Sequence, residues 1–148
     1  MAQREVFTLT ANSQVTASSV AIGATAAGLL RFDSFTIDAN IQGAVGGTLD
    51  VYLQREIADD LWADWLHFPQ LTGGAAAIQY SVKSGSDKTI HVVEQGTTSS
   101  AGTPALAANT FVGGHPGNKV RTVFVAGTGV TGPAKEQVVK ITGWQDAD

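Results

Sequence analysis

The stretch from Gly47 to Gln70, GTLDVYLQREIADDLWADWLHFPQ, predicts two β-strands joined by a short acidic turn around Ile57 to Leu61. From Leu49 to Leu53, every second residue is apolar, which is the period of a strand with one buried face. After the turn, Trp62–Phe68 carries large aromatic side chains at spacings that suit the core of a sandwich. The segment therefore constrains the chain to a β-sheet architecture and indicates no particular chemistry.

Similar alternation recurs along the chain between glycine-rich segments. Strands are predicted at Glu5–Thr10, Val15–Ile22, Leu29–Ile41, Thr48–Arg55, Trp62–Phe68, Ala75–Val82, Thr89–Glu94, Leu106–Val112, Val120–Ala126 and Gln137–Trp144. Short strands separated by frequent turns are typical of antiparallel sandwiches and barrels. Helical periodicity is scarce, and Ile57–Trp65 fits a single helical turn no better than a simple turn. Loops are predicted at Gln95–Pro104 and Gly113–Lys119.

We therefore expect an all-β fold, an antiparallel β-sandwich of the jelly-roll type, formed by residues 1–148 as one domain. A chain of 148 residues has the size of one ordinary domain. The alternation predicts that the buried residues include Leu49, Val51, Leu53, Val123, Val125, Val139 and Ile141.

Charge and cysteine content exclude several classes of function. The chain has no cysteine, so it forms no disulfide or thiolate metal site, which fits a protein made in a reducing cytosol. The N-terminal segment has no long apolar run, so we expect neither a signal peptide nor a membrane anchor. A net charge of -4 with scattered Lys and Arg gives no basic surface for nucleic acid.

Only 15% of the residues are charged, below the usual quarter. Disorder is one explanation of such a composition, but a hydrophobic fraction of 43% in strand-like patterns is enough to fill a core. The alternative is a Thr-rich β-protein whose surface meets other proteins, because charged residues are depleted at interface centres. We favour the second explanation.

Metal-binding patterns are weak. His67, His91 and His115 form no HxH or HExxH motif, and we interpret His67 as a half-buried strand residue and His115 as a loop residue. The acidic group of Glu56, Asp59, Asp60 and Asp64 lacks the spacing and the glycine of an EF-hand, so a solvated turn is favoured over calcium. No metal site is therefore predicted.

Catalytic patterns are equally weak. There is no GxSxG elbow, and Asp64 and Glu94 are only formal candidates for a pair of hydrolytic carboxylates. The glycine-rich segment 127–132, GTGVTG, precedes a predicted strand and is interpreted as a hairpin loop, not a phosphate-binding loop. Trp62, Trp65 and Trp144 are interpreted as core or interface residues, with a sugar-stacking platform as the alternative. We expect no catalytic residue, no cofactor and no enzyme activity.

The order of LDVYLQ, a polar turn, a tryptophan with a later HF, then QLTG and the terminal hairpin NKVRTVFVAGTGVTGPAKEQVVKITG resembles small β-sandwich structural proteins of tailed bacteriophages. The strand pattern of residues 29–143 carries this resemblance, which includes head decoration (cement) proteins and neck or tail accessory proteins. The resemblance implies synthesis in the host cytoplasm, no cofactor and attachment to a symmetric capsid lattice. The long loop QGTTSSAGTP departs from the family's pattern.

We therefore expect a capsid decoration protein located in the virion. Its partners would be the phage major capsid protein, copies of itself or both, with no role for nucleic acid or membrane. The alternatives are a neck or tail accessory protein, a carbohydrate-binding module for host-surface recognition and, as the least favoured, a small hydrolase.

We expect an N-terminal arm, residues 1–12, to contact the partner by adding a strand to an exposed sheet edge. The contact residues predicted are Arg4, Val6, Phe7, Leu9 and Trp144. If the arm orders only on binding, a chain lacking residues 1–10 should still fold and should attach weakly.

Overall fold

The computed structural model describes residues 3–9, 20–41, 47–72, 78–84, 106–112, 115–127 and 138–145. These residues form two antiparallel sheets that pack face to face, as predicted for an all-β sandwich. The strands are β1 (Gln3–Thr8), β2 (Val20–Ala27), β3 (Ser34–Ile41), β4 (Thr48–Ala58), β5 (Leu61–His67), β6 (Leu71–Thr72), β7 (Ile78–Ser84), β8 (Thr110–Phe111), β9 (Lys119–Ala126) and β10 (Val138–Gln145). The jelly-roll connectivity stays a prediction.

Sheet A has the strand order β1-β10-β3-β7, and sheet B has the order β2-β9-β4-β5-β8, with β6 also paired to β4. Every pairing is antiparallel. The edge strand β1 of sheet A contacts the edge strand β2 of sheet B, so both lie along one side of the sandwich. No helix in the described part of the chain is long and apolar enough to span a membrane.

A row of aromatic rings joins the two sheets through the core. Phe35 of β3 meets Trp65 of β5 edge to face, with their ring centroids 6.5 Å apart. Phe32 contacts Phe35 on one side and Phe7 of β1 on the other, at 6.2 and 6.1 Å. Such perpendicular ring pairs add to the stabilisation from apolar burial, so the row ties both sheets and β1 into one core.

The predicted strands agree with the structure best in the middle of the chain. The hairpin of β4 and β5 matches its prediction, except that strand continues to Ala58 and the turn is only Asp59 and Asp60. Asp60 has φ 55, a left-handed conformation that Asp tolerates better than most residues. The alternative of a helical turn over Ile57–Trp65 is wrong, because pairing between strands satisfies this backbone.

Other boundaries were predicted less well. The predicted strand Leu29–Ile41 is interrupted, because a 3-10 turn occupies Leu29–Arg31 before β3 begins at Ser34. Gly28 precedes this turn with φ 80, where an L side chain would be strained. Of the predicted strand Leu106–Val112, only Thr110–Phe111 pairs in a sheet. The predicted strand Thr89–Glu94 and the predicted loop Gln95–Pro104 lie outside the described residues.

Six of the seven residues predicted to be buried are buried. The prediction is wrong for Val125, which is half-buried. On β9, Val120, Phe124 and Ala126 belong to the core cluster between the sheets. Side chains alternate along a strand, so Val123 and Val125 point to the outer face of sheet B. Val123 is nevertheless fully buried there, beside its cross-strand neighbour Tyr52. The outer face of sheet B is therefore partly covered.

Candidate functional site

The predicted contact residues Arg4 and Trp144 are brought together on the outer face of sheet A. They are cross-strand neighbours on β1 and β10, and the Arg4 guanidinium lies 5.8 Å from the centroid of the indole ring. Trp144 Nε1 donates to Thr36 Oγ1 at 3.1 Å, which fixes the ring across β3. Val6, with 49% of its surface exposed, lies on the same face. These three residues stay available as predicted contacts.

Phe7 and Leu9 point the other way. Leu9 is only 1% exposed, and its main-chain N–H donates to Val139 O at 2.7 Å. Phe7 is half-buried against the core through its contact with Phe32. The choice of Leu9 as a contact residue therefore needs correction, because its side chain has almost no surface to offer a partner.

β1 is also not a detached arm. Gln3–Thr8 pairs with β10 along its whole length, within the chain's own sheet. The expectation that this segment orders only on binding is therefore corrected: strand pairing and the burial of Leu9 already hold it in the sandwich.

A β-bulge in β5 brings together a group of polar side chains, several of them buried, in the described part of the chain. The register of β4 and β5 shifts between Leu53, which is opposite Leu66, and Gln54, which is opposite Asp64. Trp65 is therefore the extra residue, and both Trp65 and Leu66 join the core. The shift also places Asp64 and His67 together on the outer face of sheet B. We call Asp50, Gln54, Asp64, His67 and Arg121 the polar cluster.

Gln54 lies at the centre of the polar cluster and has no exposed surface. Its Nε2 donates to Asp64 Oδ1 at 3.1 Å, and its Oε1 accepts from Nε and Nη2 of Arg121 at 3.0 and 2.8 Å. The Gln54 amide is therefore hydrogen-bonded to both the Asp64 carboxylate on β5 and the Arg121 guanidinium on β9. Because buried polar groups are costly when unpaired, this network specifies how β5, β4 and β9 align.

Arg121 is further held by stacking. Its guanidinium lies 4.3 Å from the ring centroid of Trp62, and Trp62 Nε1 donates to Asp60 Oδ1 at 3.2 Å. Burial lowers the pKa of Arg121 from its ordinary value, and attraction to the Asp60 carboxylate, and to Tyr52 when its phenol is ionised, opposes that shift. Arg121 is therefore a cation fixed by an amide and an aromatic face.

Both ring nitrogens of His67 are engaged in contacts within the chain, so His67 is not a free base. Nε2 lies 3.0 Å from Asp50 Oδ1, and Nδ1 lies 2.7 Å from the main-chain oxygen of Leu106. An Asp–His pair can orient a catalytic base, but that role needs the other ring nitrogen to face a substrate. Here that nitrogen faces Leu106, whose own N–H donates to Asp64 Oδ2 at 3.0 Å. The polar cluster thus fastens Leu106 to sheet B.

The acidic residues Glu56, Asp60 and Asp64 do not point toward a common site. Glu56 Oε1 accepts from the N–H of Asp60, and Glu56 Oε2 pairs with Lys119 at 3.3 Å. Asp64 is buried in the polar cluster, so the interpretation as a solvated turn is wrong for that residue. No three His, Asp or Glu side chains among the described residues are placed to hold a metal ion.

The remaining candidates are dispersed. His115 lies apart from His67: its Nε2 contacts Phe32 O at 3.0 Å, and its Nδ1 accepts from Gly117 N–H. His91, Glu94 and residues 128–132 of the glycine-rich segment lie outside the described residues. Trp65 is fully buried in the core, as interpreted. Trp62 is 9% exposed but is not part of the core cluster, because it lies on the outer face of sheet B against Arg121.

The chain matches no family model, no curated protein and no solved structure.

Proposed function

We propose that this chain is a structural virion protein, a decoration protein that binds the assembled phage capsid after synthesis in the host cytoplasm. The observation that carries the proposal is how the described polar and apolar groups are distributed. The polar cluster is engaged in hydrogen bonds within the chain, whereas apolar side chains are exposed on both strands of one sandwich edge, at Val6, Val20 and Ile22. This distribution suits binding to protein surfaces.

The mechanism needs no covalent chemistry. A module that binds only assembled neighbouring subunits stabilises the assembly by its binding free energy at each site. The low overall charge favours this, because few ions would lose their hydration at the contact. Arg4, Val6 and Trp144 form the contact surface that we propose on sheet A.

The alternatives have less support. A sugar-binding role would use paired exposed aromatic rings, but Trp62 and Trp65 are buried, and the Trp144 ring already carries the Arg4 guanidinium. A hydrolase would use a base with a nitrogen or oxygen facing a substrate, and both ring nitrogens of His67 are occupied. A neck or tail accessory protein would have the same surface features as a decoration protein. Only the position of the chain in the virion distinguishes the two.

Binding to particles tests the proposal. Purified chain is mixed with particles of the phage that encodes it, prepared without this protein, and with unassembled capsid subunits as the control. We expect saturable co-sedimentation with particles only, and a higher temperature of particle disruption. Absence from the virion, or no binding to particles, would refute the proposal. Imaging that places the chain at the neck or tail would support the accessory-protein alternative instead.

A further inference from the structure

Strand β2 is an edge of sheet B whose pairing with β9 is regular from Val20 to Ile22 and shifts by one residue, as at a β-bulge, between Ile22 and Thr25. It pairs with β9 on one side and stands last in the strand order, so within the described residues its other side has no strand partner. Two of its large side chains are exposed, Val20 at 48% and Ile22 at 50%. They are cross-strand neighbours of Val125, which is half-buried, and of Val123, which is fully buried, on the outer face of sheet B.

Natural edge strands usually carry charges or proline that prevent pairing with another chain. β2, with the sequence VAIGATAA, has neither. No charged residue occurs anywhere between Glu5 and Arg31 in the sequence. By contrast, the edge strand β1 carries Arg4 and Glu5, and the edge strand β7 carries Lys83. Among the described edge strands longer than two residues, β2 alone lacks a charge.

We propose that β2 pairs antiparallel with β2 of a second copy of this chain, around a twofold axis. The inference extends the expected self-association and does not depend on a capsid. Pairing around a twofold axis brings β2 beside its own copy, so a charge on β2 would lie close to the same charge of the second copy. The absence of charge removes that penalty and favours a second copy as the occupant.

The geometry also gives matched side chains. With Ala21 on the twofold axis, Val20 lies opposite Ile22 of the second copy, and Ile22 lies opposite its Val20. All four side chains then share the outer face of sheet B, because residues two apart in a strand point the same way. The two copies of sheet B then join through the segment of β2 that precedes its bulge, where the outward main-chain groups around Ala21 gain partners.

Sedimentation velocity over a wide concentration range tests this proposal on the full chain alone. We expect a concentration-dependent dimer of the unmodified protein. The double variant Val20→Lys/Ile22→Lys should raise the dimer dissociation constant at least about tenfold, since it places like charges across the axis. The matched control is Ile57→Lys/Leu61→Lys, which adds the same charge at exposed apolar positions of the β4–β5 hairpin and should leave the dimer unchanged.

Hydrogen exchange provides a readout that needs no variant. Main-chain amides of β2 should become more protected as the concentration of the unmodified protein rises, while those of β1 should not. A monomer at every concentration overturns the proposal. So does a dimer that survives the β2 variant, or one that is lost only with the hairpin variant. Particle binding is absent from these measurements, so a negative result here leaves the decoration proposal intact.

Discussion

The ring of His67 lies 2.7 Å from the main-chain oxygen of Leu106, although the two residues are far apart in the chain. The same residue, Leu106, also donates its N–H to Asp64 at 3.0 Å. Two hydrogen bonds of opposite direction therefore attach one peptide segment to β5. Both bonds are buried, where a lost partner leaves a polar group without water to replace it.

Replacing His67 should therefore destabilise the domain by more than an average surface substitution. His67→Ala removes the contacts to Leu106 and to Asp50 at once. We expect a loss of about 2–3 kcal/mol in the free energy of unfolding, measured by denaturant titration.

A double-mutant cycle with Asp50→Asn isolates the His67–Asp50 pair from the contact with Leu106. The two residues touch directly, so their effects should not add, and the coupling should exceed about 0.5 kcal/mol. Additive effects would mean that the Asp50 contact contributes nothing to stability.

Because Phe32 lies close to Gly143, any larger residue at position 143 should destabilise the domain. A Cβ at Gly143 would lie 2.5 Å from two atoms of the Phe32 ring. The ring is 4% exposed and packs between Phe7 and Phe35, so it has little room to move. Gly143→Ala should cost about 1–3 kcal/mol through overpacking. The cost should shrink when Phe32→Leu is present, and an equal cost in both backgrounds would contradict this explanation.

Thr122 is a position where a substitution should increase the stability of the domain. Its Oγ1 is buried and has no hydrogen-bond partner among the described residues, on the core-facing side of β9. Thr122→Val replaces the hydroxyl by a methyl of similar shape and should raise the free energy of unfolding by about 1 kcal/mol. The matched control is Thr36→Val, which removes the acceptor of Trp144 Nε1 and should give no gain. Destabilisation by Thr122→Val would indicate that the hydroxyl is bonded.

Strand periodicity predicted the sandwich and most of its buried residues, and the first of its failures has a local cause. Strict alternation puts Asp64 and His67 on opposite faces of β5. The bulge at Trp65 puts them on the same face, and no residue in WADWLHF signals a bulge. The polar cluster was missed for this reason, together with the distant pairing that brings Arg121 beside Gln54.

The alternation on β9 failed differently. Residues 120 to 126 contain apolar side chains on both faces, so the pattern alone does not say which face is the core. The structure assigns Phe124 to the core and Val125 to the outer face, where Val20 of β2 is its neighbour. That pairing between distant segments decides the orientation, and a period of two residues carries no information about it.

Removing the N-terminal strand should unfold the domain, contrary to the expectation from the sequence. Deletion of residues 1–10 eliminates the pairing with β10, exposes that strand's edge and removes Leu9 from the core. Truncating one buried leucine alone typically costs about 2–5 kcal/mol, a large part of a domain's stability. We expect a large fall in the thermal unfolding midpoint, or no cooperative transition at all.

A second variant separates folding from attachment. Arg4→Ala/Val6→Ala removes two exposed side chains of β1 but keeps its backbone pairing, Phe7 and Leu9. This variant should melt close to the unmodified protein and should co-sediment less with phage particles, since it alters only the proposed contact surface. A truncated chain that melts normally would contradict the role of β1 in the core. Unchanged attachment of the double variant would show that the outer face of β1 is not a contact surface.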